Sequence, residues 1–203
     1  MKRLMMVIVA VAGAPAMAGY IYVGDIFSGV GEYTTGGSTV NASLVANSSA
    51  QTGNYGIALD SVGNFYVASD NSSYQGNIAK YTGDGTVINA NLISIPGLSQ
   101  LAGLAVDGND LFVADHNTGA IREYTTDGAL VNSSLASLNQ LQFIADDDNG
   151  HLYAVYGGQF SDVSEFTISG GSVVSSNYAL ISGSYSATGI ALDDGRTMRA
   201  RQF

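Results

Sequence analysis

The chain has 203 residues, a length that suits one domain or a single repeat array, with 46% hydrophobic and only 12% charged residues, 26 Gly, 2 Pro and no Cys. This is too apolar for disorder, and the lack of Cys excludes a disulfide framework and a thiolate metal site. A formal net charge of −10 repels nucleic-acid phosphates and anionic membrane surfaces, so neither is expected as a partner.

Residues 1–18 read as a signal peptide. Lys2 and Arg3 form a short positive region, Leu4 to Ala14 is an apolar run too short to span a bilayer comfortably, and Ala16-Met17-Ala18 is an A-x-A cleavage site. Cleavage near Ala18 predicts an exported chain, secreted or periplasmic. No later stretch is long and apolar enough for a membrane span.

From Tyr20 onward, short β-prone runs recur between Gly, Asn and Asp clusters. A first type, a, reads Gly56-Ile-Ala-Leu-Asp60, Gly103-Leu-Ala-Val-Asp107, Gln142-Phe-Ile-Ala-Asp146 and Gly189-Ile-Ala-Leu-Asp193. A second, b, reads Ile21-Tyr-Val-Gly24, Phe65-Tyr-Val-Ala68, Leu111-Phe-Val-Ala114 and Leu152-Tyr-Ala-Val155. A third, c, reads Val30-Gly-Glu-Tyr33, Ile78-Ala-Lys-Tyr81, Ile121-Arg-Glu-Tyr124 and Val163-Ser-Glu-Phe166. After turns such as Gly83-Asp84-Gly85 and Thr126-Asp127-Gly128, a weaker run, d, follows at 39–45, 86–93, 129–135 and 172–180.

Copies of a start 47, 39 and 47 residues apart. Four short strands per period is the pattern of an all-β protein, a β-propeller of about four four-stranded blades. Strand a suits the crowded inner position because it is small and aliphatic. The ring on each strand b (Tyr22, Tyr66, Phe112, Tyr153) fills the space between blades. Asp60, Asp107, Asp146 and Asp193 are each expected to close a tight a–b hairpin, because Asp bonds to nearby backbone amides and the neighbouring Gly tolerates positive φ.

The best copy, GLAVDGNDLFVADHNTGAIREY from Gly103 to Tyr124, resembles the NHL-repeat family of β-propellers. The resemblance runs from about Tyr20 to Asp193. It implies a propeller over 19–195 and specifies function poorly, since the family includes scaffolds, sugar-lactone hydrolases and lyases. The first unit starts at strand b with no strand a before it. The last supplies strand a (Gly189–Asp193) and then breaks into a basic tail, 196–203, with Arg196, Arg199 and Arg201. Either the last strand a completes the first blade and closes a four-bladed ring, or the array is an open fragment of a larger propeller. The tail favours truncation.

The sequence offers little chemistry. No nucleophile elbow or phosphate loop occurs, and no metal-ligand set matches the lactone-hydrolase propellers. His116 and His151 lie in turns, without a second His or Glu at ligand spacing, and are expected to face water. Asp146-Asp147-Asp148-Asn149-Gly150 has the outline of a calcium loop but lacks EF-hand spacing, so it reads as an acidic hairpin. A ring of strand-a Asp residues could hold a cation in a channel, although the turn role accounts for those residues more simply. Sequons such as Asn41-Ala-Ser43 and Asn132-Ser-Ser134 matter only in a eukaryotic secretory pathway. Asp115, His116 and Arg122 are particular to the best copy and are the first candidates for binding.

These readings predict an exported, non-catalytic binding or scaffold module, a monomer, presenting loops to a protein or carbohydrate. No catalytic, cofactor or metal residues are assigned. Two alternatives are a metal-dependent hydrolase or lyase of the six-bladed type, with its site at the channel mouth, and a truncated fragment without independent function.

Overall fold

The computed structural model describes residues 6–10, 19–25, 29–46, 51–71, 75–97, 100–182, 187, 189, 190 and 192. The described strands form four separate antiparallel sheets, each built from four strands in chain order. The first holds β1 (Met6–Ala10), β2 (Tyr20–Asp25), β3 (Gly29–Thr34) and β4 (Thr39–Ala46), and the second β5 (Gln51–Leu59), β6 (Phe65–Asn71), β7 (Gly76–Tyr81) and β8 (Val87–Ile95). The third holds β9 (Leu101–Asp107), β10 (Asp110–Asp115), β11 (Ala120–Thr125) and β12 (Leu130–Ser137), and the fourth β13 (Phe143–Asp146), β14 (His151–Tyr156), β15 (Asp162–Ser169) and β16 (Ser172–Ile181). These sheets are the blades expected from the repeats, with strands a to d in order. The chain divides into two compact units, Met1–Leu101 and Ala102–Phe203, each carrying a pair of blades.

In the first unit, Tyr22 of β2 reaches across to the second blade. It stacks on Phe65 at 5.7 Å, and Phe65 stacks on Tyr81 at 5.2 Å. Tyr22 and Phe65 are fully buried, with Val30, Ile57, Val67 and Ala79 closing around them. In the second unit, the strand-b ring Phe112 plays the part of Tyr22. It packs with Ala114, Ile121 and Leu135 against Ile144, Leu152, Ala154 and Phe166 of the fourth blade. Full burial of such a side chain stabilises by about 1.5–3 kcal/mol, so Tyr22 and Phe112, two of the four strand-b rings, carry much of these two seams.

Three of the c–d turns share one geometry. Gly37, Gly85 and Gly128 sit at φ +84, +85 and +90°, and each donates its N–H to the carbonyl three residues earlier. This is a type I turn closed by a left-handed glycine. Next comes an Asn (Asn41, Asn89, Asn132) whose Oδ1 accepts the N–H two residues on, at 2.9–3.0 Å. The ladder between strands c and d slips at this residue in each of the three blades. The outer strands β4, β8, β12 and β16 contain no charged residue.

Two expectations are corrected. The first blade does have an inner strand. Met6–Ala10 runs antiparallel to β2, with Val9 opposite Tyr22. A run of Met, Val, Ile and Ala satisfies the apolar core of a leader and an inner strand equally well. In the fourth blade, the residue closing the a–b hairpin is Asp147, not Asp146. Asp146 pairs with Leu152 at the register position that Leu59 holds against Phe65 in the second blade. Gly189, Ile190 and Leu192, expected in a strand a, lie in no strand, and Asp193 falls outside the described residues. So does the whole basic tail.

Candidate functional site

In an up-and-down blade, the b–c turns and the d–a connections lie at one end, and the a–b and c–d turns at the other. In the second unit the two ends differ in chemistry.

The b–c end starts from Asp115, which is fully buried at the close of β10. Its carboxylate accepts the N–H groups of Asn117 at 3.1 Å and Thr118 at 3.2 Å, and also the Thr118 hydroxyl. Arg122 lies 3.6 Å away on β11 and donates to the Ser133 carbonyl. Gly119 then turns the chain at φ +71°, where a Cβ would stand 2.2 Å from the Leu138 carbonyl oxygen. His116 is half-buried, with Nδ1 2.7 Å from the Leu141 carbonyl oxygen, instead of facing water as expected of a turn residue. Of the three candidates, Asp115 and Arg122 therefore hold the loop together, and His116 ties it to the segment entering the fourth blade.

That segment carries Asn139 and Gln140, both exposed, with Gln140 at φ +56°. A left-handed conformation at a residue other than Gly, Asn or Asp is uncommon and costs energy. Gly157 donates its N–H to the carbonyls of Asn139 and Gln140, and a Cβ on Gly158 would stand 2.4 Å from Gln140 Oε1. Beyond them lie exposed Gln159 and Phe160, the latter with 59% of its surface open. The loops at 115–119, 138–142 and 157–161 thus form a continuous surface bearing side-chain amides and one bare aromatic ring. Its carboxylates are Asp115, which is paired, and Asp162 at the margin.

The opposite end is acidic. Asp107 and Asp110 flank a two-residue turn, Asp127 sits on the c–d turn, and Asp146, Asp147 and Asp148 follow in the fourth blade. Asp147 closes its hairpin by accepting the N–H groups of Asn149 at 3.0 Å and His151 at 3.1 Å, and it holds His151 Nδ1 at 2.9 Å. Asp60 does the same work in the second blade, accepting from Val62, Asn64 and the Tyr66 hydroxyl. Asp107 instead reaches across to the fourth blade and accepts the Gly150 N–H at 2.9 Å. The three described strand-a Asp residues are thus not equivalent: Asp60 closes its own hairpin, Asp107 bridges blades and Asp146 stands at an apolar register position. Among the described residues, no group of three or more His, Asp or Glu side chains is placed to hold a metal ion.

Sequence reasoning passed over Asn139, Gln140 and Phe160, which lie in connections that repeat comparison skips. It also missed Glu123, which is 1% exposed and whose Oε2 has no hydrogen-bond partner. The signal for Glu123 lay in the register. Each strand-b ring stands opposite the third residue of strand c, as Tyr22 opposite Glu32, Tyr66 opposite Lys80, Phe112 opposite Glu123 and Tyr153 opposite Glu165. The Tyr hydroxyls donate to Glu32 at 3.4 Å and Glu165 at 3.1 Å, and Lys80 lies over the Tyr66 ring. Burial, followed by the neighbouring Glu, pushes Tyr22 up to about 12; burial and the bond to Glu165 do the same to Tyr153. Phe112 has no hydroxyl to give.

No known family model matches the chain, and no curated protein sequence does. Solved structures do. A gluconolactonase from Xanthomonas campestris superposes with a TM-score of 0.63 at 14% identity, over 86% of this chain and 62% of that one. A nidogen–laminin complex gives 0.59 at 16% identity, over 86% and 63%. The WD40 propeller domain of Doa1 gives 0.59 at 11% identity, over 93% and 58%.

The chain has the β-propeller fold. It spans about three-fifths of the length of these propellers, and identities this low carry the fold and nothing about chemistry.

Proposed function

We propose that the chain is an exported, non-catalytic binding module whose b–c end in the second unit takes up an uncharged carbohydrate. The observation that carries this reading is the surface of Asn117, Asn139, Gln140 and Gln159 beside the open Phe160 ring, held in place by the bonds to Asp115 and by the Gly157 N–H. Amides both donate and accept, as sugar hydroxyls require. An aromatic face packs against the apolar face of a pyranose, and a rigid loop reduces the ordering cost of binding. The sparse charge suits a neutral glycan better than an ionic partner. Export rests on the leader-like N-terminus; cleavage near Ala18 would remove β1 and leave the first blade with β2, β3 and β4.

Native affinity gels cast with neutral polysaccharides (xylan, mannan, laminarin, dextran) provide the test. At least one should retard the protein, and Phe160→Ala should weaken that retardation on the order of 5- to 10-fold, equivalent to about 1–1.4 kcal/mol. Equal mobility in all four, or an unchanged Phe160→Ala response, overturns the carbohydrate reading and leaves a protein partner. N-terminal sequencing of the secreted form tests export independently.

A further inference from the structure

Glu123, buried, and Asp146, half-buried, are carboxyls in the second unit that the proposed binding surface does not use. Glu123 faces the fourth blade. A Cβ on Gly171, in the c–d turn of that blade, would stand 4.0 Å from Glu123 Oε1 and 2.9 Å from Val131. Asn132, opposite Glu123 on β12, spends its Nδ2 on the Gly171 carbonyl at 3.0 Å. On β10, Phe112 stands opposite Glu123, and Asp110, two residues earlier on the same face, is its charged neighbour. Arg122 points to the other face of β11, towards Asp115. Asp146 replaces a leucine position, with Asp107 and Asp148 beside it and the Asp148 N–H 3.3 Å from its Oδ2. Asp107 in turn acts on Asp110. Every charged group that acts on Glu123, Asp110 or Asp146 is another carboxylate.

We propose that the seam between the third and fourth blades is pH-sensitive: it sets the carboxyls of Glu123 and Asp146 against apolar positions with only other carboxylates as their charged neighbours, and an alkaline medium loosens it. The titration supports this. Burial first, then Asp148 and Asp107, lift Asp146 to about 7, and burial with Asp110 raises Glu123. Asp146 titrates near 4 in the unfolded chain, and Glu123 adds in the same direction. Between those values the folded state binds more protons, so its stability falls as pH rises, the reverse of ordinary acid denaturation. The Asp146 contribution is complete below about 4 and is lost as pH passes through about 7. In the first unit, Asp70 is also raised by burial, to about 6, so single variants are needed to assign the effect.

The experiment is urea unfolding of the full chain at about pH 5.5 and about pH 8.5, which span the upper half of the window. The wild-type midpoint should be clearly higher at the lower pH. Asp146→Leu, which restores the residue of the second blade, should halve that difference or better and raise the midpoint at high pH. Phe112→Tyr, a milder change, should raise the high-pH midpoint by giving Glu123 the hydroxyl that Glu165 has from Tyr153. A midpoint that rises with pH, or a difference unchanged in Asp146→Leu and Phe112→Tyr, overturns the proposal. So does full recovery of the low-pH midpoint on adding millimolar calcium at high pH, since the carboxylates would then be holding a cation.

Discussion

Replacing Phe65 with Ala is expected to destabilise the first unit by about 3–5 kcal/mol, the range for deleting a fully buried aromatic. The ring is the middle of a three-ring stack, at 5.7 Å from Tyr22 and 5.2 Å from Tyr81. Its removal opens a cavity between two blades and withdraws one face of contact from each neighbour. Both tyrosines are themselves buried, so neither can fill the space without exposing its own hydroxyl partner or core contacts. The chain has no Trp, so its near-UV signal comes mainly from 12 Tyr, of which Tyr22 and Tyr81 line this seam. Val62→Ala is the control, at a side chain 80% exposed in the adjoining turn, and should change stability by less than about 0.5 kcal/mol. A loss of under about 1 kcal/mol for Phe65→Ala would mean that the blades are not packed through this ring.

The second large effect belongs to Asp115. Asp115→Ala is expected to cost about 3–5 kcal/mol, because it strands three hydrogen-bond donors and a half-buried guanidinium around a fully buried carboxylate. The Asn117 and Thr118 N–H groups and the Thr118 hydroxyl lose their acceptor, and Arg122, whose Nε already lacks a partner, loses its counter-charge. The loop at 115–119 should then disorder and take glycan binding with it, although Asp115 does not itself lie on the exposed surface. Asp115→Asn keeps an acceptor oxygen and removes only the charge, so its cost should be nearer 1–2 kcal/mol with binding partly retained. Urea unfolding and the affinity gel read the two consequences separately. Asp127→Ala, an exposed turn change in the same unit, should leave both unaffected. Full binding in a destabilised Asp115→Ala protein would detach this loop from the proposed site.

Strand order, turn positions and the seam aromatics were legible in the sequence because each repeats and each has a local cause. Tyr22, Phe112 and the turn glycines fell where period and hairpin chemistry put them, whereas Tyr66 and Tyr153 belong to neither seam cluster and Phe65, the middle ring of the first seam, stands one residue before the expected position. The fourth blade misled because Phe-Ile-Ala-Asp looks like the other strand-a endings. Counting back five residues from strand b identifies Asp147 as the counterpart of Asp60, and only strand register exposes Asp146 as a carboxyl in a leucine's place. Glu123 was hidden for a related reason, since a missing hydroxyl appears only when the residue opposite is known. β1 was illegible because translocation and an inner strand both select an apolar segment. The amide-rich surface is assembled from three connections, and connections do not repeat.

The uncharged outer strands carry a consequence for solution behaviour. Exposed sheet edges commonly avoid pairing with other chains by presenting charge. Here Val87, Ile88, Leu130 and Val131 are open on strands with none, and the slip in the ladder at each following Asn is what spoils a straight template. Protection that is geometric is indifferent to ionic screening. Concentrated salt should therefore leave the protein dispersed at neutral pH, whereas Asn89→Val or Asn132→Val, by straightening a rim, should make it assemble.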